Sequence, residues 1–238
     1  MSTVLLQAPR VRRRRASRFA RWLSLVLIVT GLLVLADAAL TLVWQEPVSA
    51  LIALIQRGQI NRHWLSYRSA PLSAHDRLIV ASLTEDRQRI AYLARHEERE
   101  LRAGDAAGRL AIPSLGASFL FVQGTDSASL EKGPGHYPST ALPGLGQTVA
   151  IAGHRTTFLA PFRHLDALRR GDRVVLTMPY GRFVYVVQFH RVVDPTAWWV
   201  TRNVGYDRLV LSACDPLFSA AHRLVVFARL SHVADPVS

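Results

Sequence analysis

The run Phe183-Val-Tyr-Val-Val-Gln-Phe-His-Arg-Val-Val193 decides the fold. Phe183, Tyr185, Val187 and Phe189 alternate with Val184, Val186, Gln188 and His190. That period of two is the mark of a β-strand, whose successive side chains point to opposite faces, and it predicts at least one buried face. Six shorter runs of similar texture accompany it: Leu110–Ile112, Phe119–Val122, Thr148–Ala152, Arg173–Thr177, Asp207–Ser212 and Leu224–Leu230. Glycine and proline separate them without strand–helix alternation, which predicts an antiparallel sheet, sandwich or barrel. This mostly β domain covers about 107–234, enough for its own core.

Toward the N-terminus the texture changes. Residues 45–106 read as a helical stalk. Val48, Leu51, Ile52, Leu54 and Ile55 recur at turn spacing, and Ala74–Leu101 mixes arginine and glutamate with scattered leucine and isoleucine. Its tail, Arg95-His-Glu-Glu-Arg-Glu-Leu-Arg102, reads as an exposed helix held by i,i+4 charge pairs. Gly104-Asp-Ala-Ala-Gly108 reads as a flexible joint before the β domain.

Residues 22–44, Trp22 to Trp44, form an apolar stretch of 23 residues, long enough for a bilayer core of about 30 Å. Asp37 is its one acid and costs less than the roughly 3 kcal/mol it would at the bilayer centre, because it lies nearer the outer end. Residues 1–21 form an arginine-rich tail, and Arg10, Arg12, Arg13, Arg14, Arg15, Arg18 and Arg21 account for much of the net charge of +12. Positive charge flanking an apolar span holds that end in the cytoplasm. The expectation is therefore a single-pass anchor in the cell membrane with the β domain outside. A cleaved signal peptide is the competing reading, because Ala36-Asp37-Ala38 fits a cleavage pattern. Both readings place everything after residue 44 outside the cytoplasm.

Composition excludes several classes. Half the chain is hydrophobic and 19% is charged, so it is not a wholly disordered protein. No interleaved basic–aromatic motif points to nucleic acid. A single cysteine, Cys214, rules out a disulfide framework and a multi-thiolate zinc site. Carboxylates are sparse over 107–234, and no EF-hand or His-x-x-x-His pattern occurs, so neither a metal nor another cofactor is expected.

Chemistry concentrates in three places. Cys214 ends the run Leu209-Val-Leu-Ser-Ala-Cys214, and Pro216 stops the strand, which puts the thiol at a sheet rim. A thiol inside such a run is most often inert packing; a rim position makes it a candidate nucleophile. Among nine histidines, His154 is best placed to assist, because the strand Thr148–Ala152 ends just before it. Arg223 opens the strand Leu224–Leu230; if that strand pairs antiparallel with the cysteine's, its guanidinium lies beside the thiol and can bind an oxyanion. His222 would then point to the opposite face. Taken singly, each of these residues has an ordinary structural explanation.

Together, Gly153-His154-Arg155-Thr156-Thr157, Leu209-Val-Leu-Ser-Ala-Cys214-Asp-Pro and His222-Arg223-Leu-Val-Val resemble the sortase family of cysteine transpeptidases. Gly133-Pro-Gly-His-Tyr137-Pro and Ala160-Pro-Phe-Arg-His-Leu165 look most like the class E sortases of actinobacteria. The resemblance implies an eight-stranded sortase β-barrel, with Cys214 as nucleophile, His154 as general acid/base and Arg223 stabilising the oxyanion. It also implies a substrate class, secreted proteins with a C-terminal LPxTG or LAxTG-type sorting signal, cleaved between Thr and Gly. The acyl group passes to an amine of a peptidoglycan precursor or of another protein. Tyr137 matches a tyrosine linked to the LAxTG preference, and Ser212 and Ala213 adjoin the substrate. The chain departs from the family at Ala213, where threonine usually precedes the cysteine. That departure keeps open a catalytically weak barrel that only binds extracellular peptide. An L,D-transpeptidase fits less well, because its arginine lies close to the cysteine and here it is nine residues away.

Overall fold

Helices occupy the N-terminal part of the chain, as its hydrophobic spacing predicts. A computed structural model describes residues 13–43, 47–68 and 72–234, and the chain divides into two units, Met1–Pro47 and Val48–Ser238. In the first, helix α1 spans Arg13–Val43. Within it Phe19–Ala39, with a mean hydropathy of 2.2 and no buried residue in its most apolar window, is long and apolar enough to cross a membrane. A helix satisfies its backbone internally, which a bilayer core demands. Arg10, Arg12 and Trp44 lie outside the described residues.

Three helices lead into the barrel: α2 (Pro47–Arg68), α3 (Ala74–Ser82) and α4 (Asp86–Glu100). Ile60 and Trp64 of α2 pack with Ala106, Leu120 and Val122, while Leu51, Leu54 and Ile55 stay exposed. The charged tail from Arg95 onward is mostly exposed, as expected, with Glu97 buried, but the turns of α4 before it pack on the barrel. Ile90, Leu93 and Ala94 are buried and join the barrel's main core, and Glu98 accepts a hydrogen bond from the Leu142 backbone at 2.9 Å. The apolar residues of α4 are few but share one face, which overrides the charged average of the segment. The expected joint is partly built into the barrel, with its last three residues in the first strand of the sheet. Ala106 and Ala107 are buried, and a Cβ on Gly108 would sit 2.6 Å from the Phe121 ring.

Eight strands close into a barrel in the order β1-β2-β3-β4-β7-β8-β6-β5. They span Ala106–Ile112 (β1), Ala117–Gln123 (β2), Gly135–His136 (β3), Thr148–Ala152 (β4), Arg173–Met178 (β5), Gly181–Val193 (β6), Arg208–Asp215 (β7) and His222–Ala234 (β8). Closure leaves no free sheet edge. The interior is filled by Leu110, Phe121, Ile151, Tyr185, Leu211 and Val226, among others.

Two features correct the sequence reading. The sheet is mixed: β2 with β3 and β4 with β7 run parallel. Alternation along β6 also breaks, because a register shift between Val187 and Phe189 turns Phe189 outward. Phe183, Tyr185 and Val187 face the core, whereas Phe189 is half-exposed and stacks on Phe227 at 4.8 Å.

Candidate active site

The parallel pairing of β4 with β7 builds the site. Thr148–Ala152 lies against Arg208–Ser212 at a constant offset of 60 positions, and the Gly153 amide extends the ladder by donating to the Ser212 carbonyl at 3.0 Å. The same offset carries the chain from His154 to Cys214, so both strands deliver their residues to one rim of the barrel. An antiparallel pair would have sent them to opposite ends. On the other side β8 pairs antiparallel with β7, and Cys214 lies directly opposite Arg223. Cys214 and Arg223 thus pair on adjacent strands, and His154 follows the end of the third strand, β4, at the same rim.

Alternation sorts β7 by face. Leu209, Leu211 and Ala213 point into the barrel core. Val210 belongs to a second apolar cluster outside, with Ala150, Val225 and Phe227. Cys214 shares that outer face and is half-buried. Ser212, also on this face and buried, meets the Tyr137 hydroxyl at 3.1 Å. Tyr137 and Ser212 therefore come together beside the thiol's face, and Ala213 does not join them.

The outer apolar strip is roofed by the β6–β7 connection. Trp199 stacks on Phe227 at 6.0 Å, and Arg208 donates to the carbonyls of Val200 and Arg202 at 2.9 and 2.7 Å. These contacts cover the apolar strip, and the same face of β7 becomes polar toward Cys214.

His154 is half-buried and burial pushes its imidazole below the ordinary 6.5, with the Glu131 carboxylate pulling weakly the other way. Its ring lies 5.2 Å from that of Phe158. A side chain on Gly153 would collide with Phe162, its Cβ falling 2.5 Å from the ring, so glycine alone fits before the histidine. Arg223 donates to the carbonyls of Ala220 and His222 at 3.0 Å, which turns its guanidinium toward the β7–β8 loop.

Sequence reasoning passed over Arg155. Its side chain is 4% exposed and reaches Asp215 Oδ1 at 2.6 Å, Asp166 Oδ1 at 3.2 Å and the Arg163 carbonyl at 3.4 Å. His136 was also unremarked. It is buried with Nδ1 2.8 Å from Gln123 Oε1 and Nε2 3.0 Å from the Ala141 carbonyl, and burial lowers it to about 4. Among the described residues no cluster of three or more His, Cys, Asp or Glu is placed to hold a metal ion.

A half-buried thiol at a barrel rim, on the residue that pairs with Arg223 and on the strand that runs parallel to the one ending before His154, accompanies a family match: residues 110–231 match the sortase domain. The chain belongs to the sortase family. It is similar to sortase D of Bacillus subtilis, 32% identical over 130 residues that cover 53% of this chain. The chain spans 64% of the length of that enzyme. Among solved structures, sortase E from Streptomyces avermitilis is 35% identical with a TM-score of 0.52, covering 57% of this sortase and 93% of the other. Sortase E1 from Streptomyces coelicolor, solved with a tripeptide in its active site, is 26% identical with a TM-score of 0.53, covering 56% and 92%.

Proposed function

We propose that this sortase is a membrane-anchored cysteine transpeptidase of the class E type, with Cys214 as nucleophile, His154 as general acid/base and Arg223 as the oxyanion and peptide-positioning group. The observation that supports this reading is the strand register, in which Cys214 pairs with Arg223 and β4, the strand that ends before His154, runs parallel to β7. The Cys214 sulfur attacks the threonine carbonyl of an LAxTG or LPxTG-type sorting signal, and the tetrahedral oxyanion forms on the side of β8. His154 gives a proton to the departing glycine amine, leaving a thioester. An amine of a peptidoglycan precursor or of another protein then attacks the thioester, loses its proton to His154 and restores the thiol.

Tyr137 and Ser212 border the thiol's face and are the side chains proposed to meet the signal there. Ala213 contributes only backbone, because its methyl lies in the barrel core. The hydroxyl missing at 213 therefore leaves the thiol's own face unchanged, which weakens the reading of a barrel that only binds peptide. Helix α1, with arginines clustered in its first turns, serves as the single-pass anchor, with its N-terminus cytoplasmic and the barrel outside.

Quenched fluorescent LAxTG and LPxTG peptides, each with and without a small amine, test the reading. The proposal predicts cleavage between Thr and Gly with capture of the amine, faster for LAxTG. Intact peptides after incubation with folded protein would overturn it.

A further inference from the structure

The segment after His154 is held in an unfavourable conformation by a residue that the mechanism above does not use. Phe158, Leu159 and Ala160 have φ of 50°, 65° and 41°, three successive non-glycine residues in the left-handed region. L-residues avoid that region because Cβ crowds the following carbonyl, so a turn of this kind persists only where its surroundings over-determine it. The Phe162 amide closes the turn on the His154 carbonyl at 2.9 Å, and the Phe158 amide donates to Ser49 Oγ of α2 at 3.1 Å.

Arg155 supplies the tie to the thiol's strand. Its Nη1 donates to Asp215 Oδ1 at 2.6 Å and to the Cys214 carbonyl at 3.4 Å. Its Nε and Nη2 both donate to the Arg163 carbonyl at 3.4 Å, and Nη2 lies 3.2 Å from Asp166 Oδ1. One planar fork thus grips both ends of the histidine loop and the residue after the nucleophile. A lysine ammonium is a point donor and cannot hold all of these at once.

We propose that Arg155, through Asp215 and the Arg163 carbonyl, is a positioning residue that fixes the His154 loop against the Cys214 strand. The proposal rests on the catalytic reading of His154 and Cys214 given above. Arg155 touches no reacting atom; it sets where the imidazole stands relative to the thiol.

Arg155→Met, Arg155→Lys and Asp215→Asn, made in the full chain in detergent micelles, test this by peptide turnover and by amide hydrogen exchange. Arg155→Met is expected to lower kcat about a hundredfold, the order that small misplacement of a catalytic group costs, with KM within about twofold. Arg155→Lys and Asp215→Asn are expected to keep about a tenth of kcat, and on a His154→Ala background Arg155→Lys should cost nothing further. Exchange at residues 155–165 should rise in step while β5 and β6 keep their protection. Wild-type kcat in Arg155→Lys, unchanged exchange in the loop, or loss of protection throughout the barrel would each overturn the proposal. If Arg155→Met does not fold, the other two variants decide the matter. If the wild type cleaves neither peptide, the catalytic reading fails separately, and loop exchange alone then judges whether Arg155 holds the loop.

Discussion

The two faces of β7 do different work within eight residues. Inward, Leu209, Leu211 and Ala213 are sealed in the barrel core. Outward, Val210 is apolar and fully covered, Ser212 is buried but hydrogen-bonded, and Cys214 is half-open at the rim. One face is graded from apolar to reactive; the other is uniformly apolar. Strand alternation keeps the reactive group off the core face, so changes at the inward residues should register as lost folding and a change at Cys214 as lost turnover.

Replacing the nucleophile gives the largest expected effect. Cys214→Ala should abolish thioester formation while changing stability by less than about 0.5 kcal/mol in urea unfolding, because the side chain stands at the rim. Leu211→Ala should do the reverse, costing about 2–5 kcal/mol through the cavity it leaves and sparing the kcat of whatever stays folded. Loss of kcat in Leu211→Ala without loss of stability would break the separation of the faces.

His136 sharpens the contrast, because it is a polar group treated as core. Burial lowers its value from 6.5 to about 4. Between those values the unfolded chain takes up a proton that the folded chain refuses, so stability falls as pH drops from 6.5 toward 4. The fall should reach about 3 kcal/mol in urea unfolding, and His136→Gln should flatten that part of the slope. Tyr137→Phe gives the smallest effect. Losing its 3.1 Å contact with Ser212 should cost about 1 kcal/mol, seen as a several-fold rise in peptide KM at nearly constant kcat.

Much of this was legible in the chain itself. Seven strands follow from alternation and from glycine and proline punctuation. The eighth, Gly135–His136, is two residues long between Pro134 and Pro138, too short to carry a period. Cys214 and Arg223 follow from a short antiparallel connection, which local sequence can read. The link between Cys214 and His154 depends on a parallel pairing of strands far apart in sequence; the strand-end position of His154 made it a candidate, and the resemblance to sortases joined the two as a catalytic pair. Arg155 was hidden for the same reason, since nothing local shows that residue 155 lies beside 215. The burial of α4 was masked by its charge, because composition averages over a helix whose buried face is narrow.

The central claim is that Cys214, set between His154 and Arg223, takes an acyl group from a sorting signal. The most direct measurement is intact mass of the unit from Val48 to Ser238 after brief incubation with an LAxTG peptide, without amine, and quenching in acid. The account predicts a mass increase equal to the peptide through its threonine less one water, located at Cys214, absent in Cys214→Ala and strongly reduced in His154→Ala. A folded wild-type protein that never gains this mass, or an adduct that persists in Cys214→Ala, would contradict it.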